Sequence, residues 1–264
     1  MRYALKFAYD GSMFQGYARQ PEMHTIEGDI IDAMVQQGII PKIQQGSVRT
    51  SSRTDKGVSA AGNVISIETE FPRDSLLNAL NAKLEGIVFY GITEVDEEFS
   101  PRKARSRHYR YILSKDEVPE IEALKRAASI FVGEHDFRHF SKKDTGQEDT
   151  VLTIDYIDIT DSGQFIYIDI KAHRFLWQLV RRIAAFMQAI ASGEIDEQKV
   201  REMLEGSALV LASVKPMPPE NLILMDVEYG FEFEVLPDAL APFEELRKKA
   251  LVRAEVIAQI PEIV

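Results

Sequence analysis

The sequence predicts an α+β fold of two successive β-α-β-β-α-β units with a mainly antiparallel sheet. Three observations carry that expectation. Helical and strand periodicities follow one another in the same order twice along the chain, and a DSG turn at Asp161 to Gly163 joins two alternating runs as a hairpin. The chain of 264 residues, 45% of them hydrophobic, has room for one large domain or two of roughly 100 to 150 residues.

In the first half the pattern predicts strands at 2–9, about 47–51, 63–70 and 87–95, with helices at 25–37 and 73–84. Ile26, Ile30 and Met34, joined by Ile31 and Val35, recur at helical spacing between the plausible caps Thr25 and Gly38. Leu76, Leu77, Leu80 and Leu84 repeat the spacing, whereas IVFYGITEV is rich in strand-forming residues. Asp10 and Gly11 read as a turn at the end of the first strand.

After the polar connection DEEFSPRKARS the order returns: strand 107–114, helix 119–132, strands 151–160 and 164–172, helix 174–192, a short helix 196–205 and strand 222–229. PMPP at Pro216 to Pro219 breaks the chain before that last strand. Two such units suggest ferredoxin-like halves, residues 1–100 and 101–264, with helices on one side of each sheet and a cleft between them. The same order belongs to RNA-recognition motifs, but no stretch carries their basic, Gly and paired-aromatic signature. The tail 238–258, with Leu240, Phe243, Leu246 and Ala250, reads as an added helix packed on the core.

Cysteine is absent, which excludes disulfides, thiolate metal sites and cysteine nucleophiles. No apolar run approaches the roughly 20 residues of a membrane span, so a cytoplasmic protein is expected. The net charge of −11 argues against a polyanionic partner on average. Charge is nevertheless segregated: Arg102 to Arg110, RKARSRHYR, holds five Lys/Arg and no acid, whereas Asp226 to Val264 holds nine acids against four Lys/Arg. Smaller basic groups lie at Arg49, Arg53 and Lys56, at Arg138, Lys142 and Lys143, and from Lys171 through Arg174 to Arg182.

VRTSSRTDKGVSA, Val48 to Ala60, sets a lone aspartate, Asp55, between Arg53 and Lys56 before a glycine turn. Neighbouring cations favour an ionised carboxylate, which suits a nucleophile and not a general acid. Spacing alone favours a turn aspartate that caps the chain. Tyr109 and Tyr111 fall on one strand face, as ordinary sheet residues or as a stacking surface worth roughly 1–3 kcal/mol per base. Arg174, Gln178 and Arg181, spaced by four and three, would share a helix face opposite Leu176, Leu179, Val180 and Ile183, functional or merely solvated. His135 and His139 could start a metal site on a helix, but two ligands are too few. Trp177 is expected to pack.

RTDKGVSA closely resembles the RTDAGVHA block of the tRNA pseudouridine synthases of the TruA type. The resemblance continues in order through YDGSMFQGY, TIEGDI, LNAKL, FSPRKARSRHYRYIL, GEHDFRHF, AHRFLWQLVRRI and MPPENLILMDVEY, nearly the whole chain. It implies the pseudouridine synthase fold, with Asp55 as the catalytic aspartate, Tyr109 as the tyrosine contacting uracil, and Arg181 pairing with the carboxylate from across the cleft. Arg53 would help displace the target nucleotide, with Lys56, Arg107, Arg110 and Arg174 as further substrate contacts. Lys56 stands where the family has Ala and Ser59 where it has His. HDF is assigned to a structural block at a helix end.

The implied reaction isomerises uridine at positions 38 to 40 of the tRNA anticodon arm, in a homodimer, with neither metal nor redox cofactor. Attack by Asp55 falls on C1′ of the ribose or on C6 of uracil. Two other classes are weighed beside it. A noncatalytic RNA-binding protein would tolerate Asp55→Asn, and a carboxylate-pair glycosidase would need a second acid and would release free base.

Overall fold

The computed structural model describes residues 1–41, 48–118, 120–143, 149–206 and 214–258. The fold is mixed α+β with a mainly antiparallel sheet. Two compact units divide the chain: Met1–Arg53, Asn63–Lys103 and Phe231–Val264 form one, Thr54–Gly62 and Ala104–Gly230 the other.

The first unit is built from β1 (Arg2–Tyr9), α1 (Ile26–Gln36), β2 (Val48–Thr50), the later part of β3 (Ser59–Glu68), α2 (Arg73–Asn81) and β4 (Ile87–Glu94). Strand neighbours run β4-β1-β3-β2. Thr25 caps α1 by accepting from the Gly28 N–H, and a Cβ on Gly28 would stand 2.8 Å from the Thr25 hydroxyl, so this turn needs glycine. Ile26, Ile30, Ala33 and Met34 of α1 and Leu76, Leu77 and Leu80 of α2 are buried in the unit whose core also holds Leu5, Phe7, Val64 and Phe89. Asn81 ends α2 and clamps β4: its amide donates to the Phe89 carbonyl and its oxygen accepts the Phe89 N–H, each at 2.8 Å. That clamp lies where the β1–β4 register slips, with Lys6 opposite Gly91 and Phe7 opposite Phe89. A buried polar chain links Tyr17 to Thr50 at 2.7 Å and Ser51 to Asn63 at 2.7 Å. Asp10 closes the predicted turn after β1 by accepting from the Ser12 N–H.

The second unit takes β5 (Ser106–Ser114), α3 (Ile121–Ser129), β6 (Gly133–Asp136), β7 (Val151–Ser162), β8 (Phe165–Ala172), α4 (Leu179–Ala191), α5 (Glu197–Leu204) and β9 (Leu222–Glu228). Its strands run β9-β5-β8-β7-β6, and the first residues of β3 add to β9 in parallel, Ser59 opposite Ile223 and Ala60 opposite Leu224. This pairing explains why β3 begins at Ser59 and not at the expected 63. Alternate residues of β5, Tyr109, Tyr111 and Leu113, point into the core that receives Leu124 of α3 and Leu179, Val180 and Ile183 of α4.

Several boundaries differ from expectation for local physical reasons. The helix expected from 174 starts at Leu179, because Gln178 takes a left-handed backbone at φ 64°, which a continuing helix cannot accommodate. HDF is no helix end: His135 and Asp136 lie in β6 and His139 in the turn after it. Residue 47 of the expected second strand and residue 119 of the expected third helix lie outside the described residues. In the first unit, β10 (Glu234–Val235) extends β4, and the tail forms α6 (Ala241–Ala258) with no buried residue. Core packing was expected there. The apolar residues are instead spread around the helix, leaving Leu251, Val252, Val256 and Ile257 more than half exposed.

Candidate active site

A glycine turn builds the centre of the second unit. The Val58 N–H donates to the Asp55 carbonyl at 3.2 Å, and Gly57 at the third position has φ 87°, the left-handed corner that glycine supplies without strain. Val58 is buried and anchors the turn as it enters β3, so the Asp55 side chain projects from a short, fixed loop and keeps about a quarter of its surface accessible.

Two donors divide its oxygens. Arg181 Nη1 donates to Oδ2 at 2.7 Å and Trp177 Nε1 donates to Oδ1 at 2.8 Å. Arg181 is held from behind, since its Nε donates to the Met217 carbonyl at 2.6 Å while the Met217 N–H returns to the Arg181 carbonyl at 3.2 Å. The MPP segment therefore does more than interrupt the chain: its Met217 carbonyl holds the guanidinium. The Tyr111 hydroxyl donates to the neighbouring Pro218 carbonyl at 2.9 Å, and burial pushes the pKa of that phenol well above its usual value, against the pull of Arg181. Tyr111 is thus a neutral donor, not a base.

Register places Tyr109 in the row that runs through Leu224 of β9 to Ala60 of β3. It is largely buried, its ring edge-on to Phe175 at 5.1 Å, two residues before Trp177. Lys142 completes the surroundings, its ammonium 4.0 Å from the centroid of the Trp177 ring and its N–H on the Trp177 carbonyl.

The other expected contact residues are dispersed. Arg107 is buried and donates to the His173 carbonyl at 2.5 Å, and burial lowers its affinity for a proton. Arg110 points to the opposite sheet face, forked on Asp169 at 2.9 and 3.0 Å and stacked over Tyr167. Arg174, outside the helix on which it was expected to share a face with Arg181, pairs with Asp149 at 2.5 Å. Lys56 is exposed. In the first unit, Arg53 is exposed and 3.9 Å from Glu27. Among the described residues no cluster of three potential metal ligands occurs, and no helix is long and apolar enough to cross a membrane.

The sequence missed Trp177, expected to pack. It is 39% exposed and donates to Asp55, next to the left-handed Gln178, for which side-chain spacing offers no signal.

Residues 127–230 match the family described as "tRNA pseudouridine synthase". Over 246 residues the chain is 41% identical to tRNA pseudouridine synthase A of Pyrococcus abyssi, covering 92% of this chain and 91% of that one. The protein of the same name from Pyrococcus horikoshii is 41% identical over 94% of this chain, and that of Methanothermobacter thermautotrophicus 36% identical over 90%. The chain belongs to the tRNA pseudouridine synthase A family. It is a pseudouridine synthase, an isomerase.

Proposed function

We propose that the chain converts uridine to pseudouridine at positions 38 to 40 of the tRNA anticodon stem-loop, with Asp55 as nucleophile. The observation that carries this reading is the Asp55 carboxylate, held at 2.7 Å by Arg181 yet still accessible. A guanidinium at that distance orients an ionised carboxylate and keeps it charged.

In the proposed reaction an extruded uridine meets Asp55, at a cost of a few kcal/mol for unstacking that phosphate contacts offset. The carboxylate adds to C1′ or to C6, and the bond from C1′ to N1 breaks. The base turns and C5 bonds to C1′, the carboxylate leaves C1′ or C6 so that Asp55 is regenerated, and the proton lost from C5 is balanced by one gained at N1. Tyr109 is the proposed uracil contact. Arg53 and Lys56, both exposed, are proposed phosphate contacts. Arg107, Arg110 and Arg174 are further proposed substrate contacts, each with its guanidinium already engaged within the chain, by His173, Asp169 and Asp149.

The strand orders β4-β1-β3-β2 and β9-β5-β8-β7 support a reading as two ferredoxin-like halves, 1–100 and 101–264. The later half would carry the main tRNA and dimerisation surfaces of a cytoplasmic homodimer. Purified protein and unmodified tRNA transcript should give carbodiimide-dependent reverse-transcription stops at positions 38 to 40, and Asp55→Asn should give none. An active Asp55→Asn variant would sink the assignment.

A further inference from the structure

We infer that Trp177 is a positioning residue for the Asp55 carboxylate, its indole N–H fixing the oxygen that Arg181 leaves free. The inference rests on the proposed role of Asp55. A carboxylate gripped at one oxygen can still rotate about its Cβ–Cγ bond. With Arg181 Nη1 on Oδ2 at 2.7 Å and Trp177 Nε1 on Oδ1 at 2.8 Å, both ends of the group are tied and its plane is set. Each oxygen retains a further lone pair for attack.

The surroundings hold the indole to this task. The Lys142 ammonium, 4.0 Å from the ring centroid, draws electron density toward its face and makes the N–H a stronger donor. The Lys142 N–H grips the Trp177 carbonyl at 2.9 Å. Next in the chain, Gln178 holds a left-handed backbone at φ 64°, a conformation that persists only where its surroundings enforce it. Through that corner Trp177 and Arg181 reach one carboxylate from before the helix and from its first turn. An indole 39% exposed is not retained there to fill a core.

Three variants separate this role from packing and from RNA contact. Trp177→Phe keeps an aromatic ring beneath Lys142 and removes the N–H. Its kcat should fall about tenfold to a hundredfold, the range of one charge-assisted hydrogen bond, with KM and tRNA affinity within about twofold of the parent. Trp177→His sets a ring nitrogen where the indole nitrogen stands, and at about pH 8, with the imidazole neutral, it should recover most of the loss. Because the chain has one tryptophan, its fluorescence reports the bond directly: Asp55→Ala should shift the emission and raise quenching by acrylamide. That measurement decides the matter even if the Trp177 variants fold poorly.

The inference is overturned by unchanged emission and quenching in Asp55→Ala, by an unchanged kcat in Trp177→Phe, by a loss confined to KM, or by equal Phe and His variants. An Asp55→Asn enzyme that still forms pseudouridine would instead overturn the nucleophile assignment. A dead Asp55→Asn beside a fully active Trp177→Phe would overturn only the role of Trp177.

Discussion

Gly57 shows how one backbone angle sets up the chemistry. At φ 87° an L side chain is strained, and a Cβ would come within 3.3 Å of the Pro219 ring. Gly57→Ala should therefore destabilise the protein by about 1–2 kcal/mol, read as a lower urea midpoint, and should reduce kcat more than KM because the turn carries Asp55. Pro219 belongs to the segment whose Met217 and Pro218 carbonyls receive Arg181 and Tyr111. The Asp55 turn and the support of Arg181 consequently share a wall. The contact between Asp55 and Arg181 was expected from the resemblance of their two blocks, whereas spacing alone also allowed a turn aspartate and a solvated helix face. The Trp177 contact was not legible: it joins residues 122 apart in the chain, and the angle at Gln178 that permits it is a product of tertiary packing.

At the level of the element, Gln178 and Asn81 mark two kinds of helix boundary. A β-branched residue at φ 64° clashes with its own backbone, so Gln178→Val should cost about 1–2 kcal/mol in thermal unfolding. It should also depress activity, since Trp177 and Arg181 flank the corner. Asn81 lies far from this chemistry in sequence and in role. Asn81→Ala leaves the Phe89 N–H and carbonyl without their 2.8 Å partners, at about 1–3 kcal/mol; stability measured in urea should drop while kcat holds. Hydrophobic periodicity revealed α1, α2, β4, β5 and β8 because each buries a face of its own. It missed β6 and β10, which are four and two residues long, too short to show a period. It also started the helix at 174 too early, because apolar residues continue through Leu176 without a break in pattern.

For the molecule as a whole, the net charge of −11 conceals acids that the folded state holds ionised. Hydrogen bonds from Arg138 and Thr150 outweigh burial and keep Asp136 below the usual carboxylate range, and Lys171 and Ser106 do the same for Glu228. A depressed folded value means stability that is complete above the unfolded value, roughly pH 4, and is lost as pH falls through the folded one. Unfolding midpoints measured from pH 6 downward should hold and then decline below about pH 4. Asp136→Asn should flatten part of that decline. The mixed α+β class with a mainly antiparallel sheet was legible, since alternating helical and strand periodicities restrict the architecture. The fate of the tail was not, because amphipathic-looking residues do not reveal whether a partner surface exists.

That tail has a thermal consequence. α6 is 18 residues long and buries none of them, so its helicity rests on propensity and local pairs, near the marginal length for an isolated helix. Heating should melt it gradually and early. Ellipticity at 222 nm would slope downward well before the sharp collapse of the body, and the slope would vanish from a chain ending at Leu240.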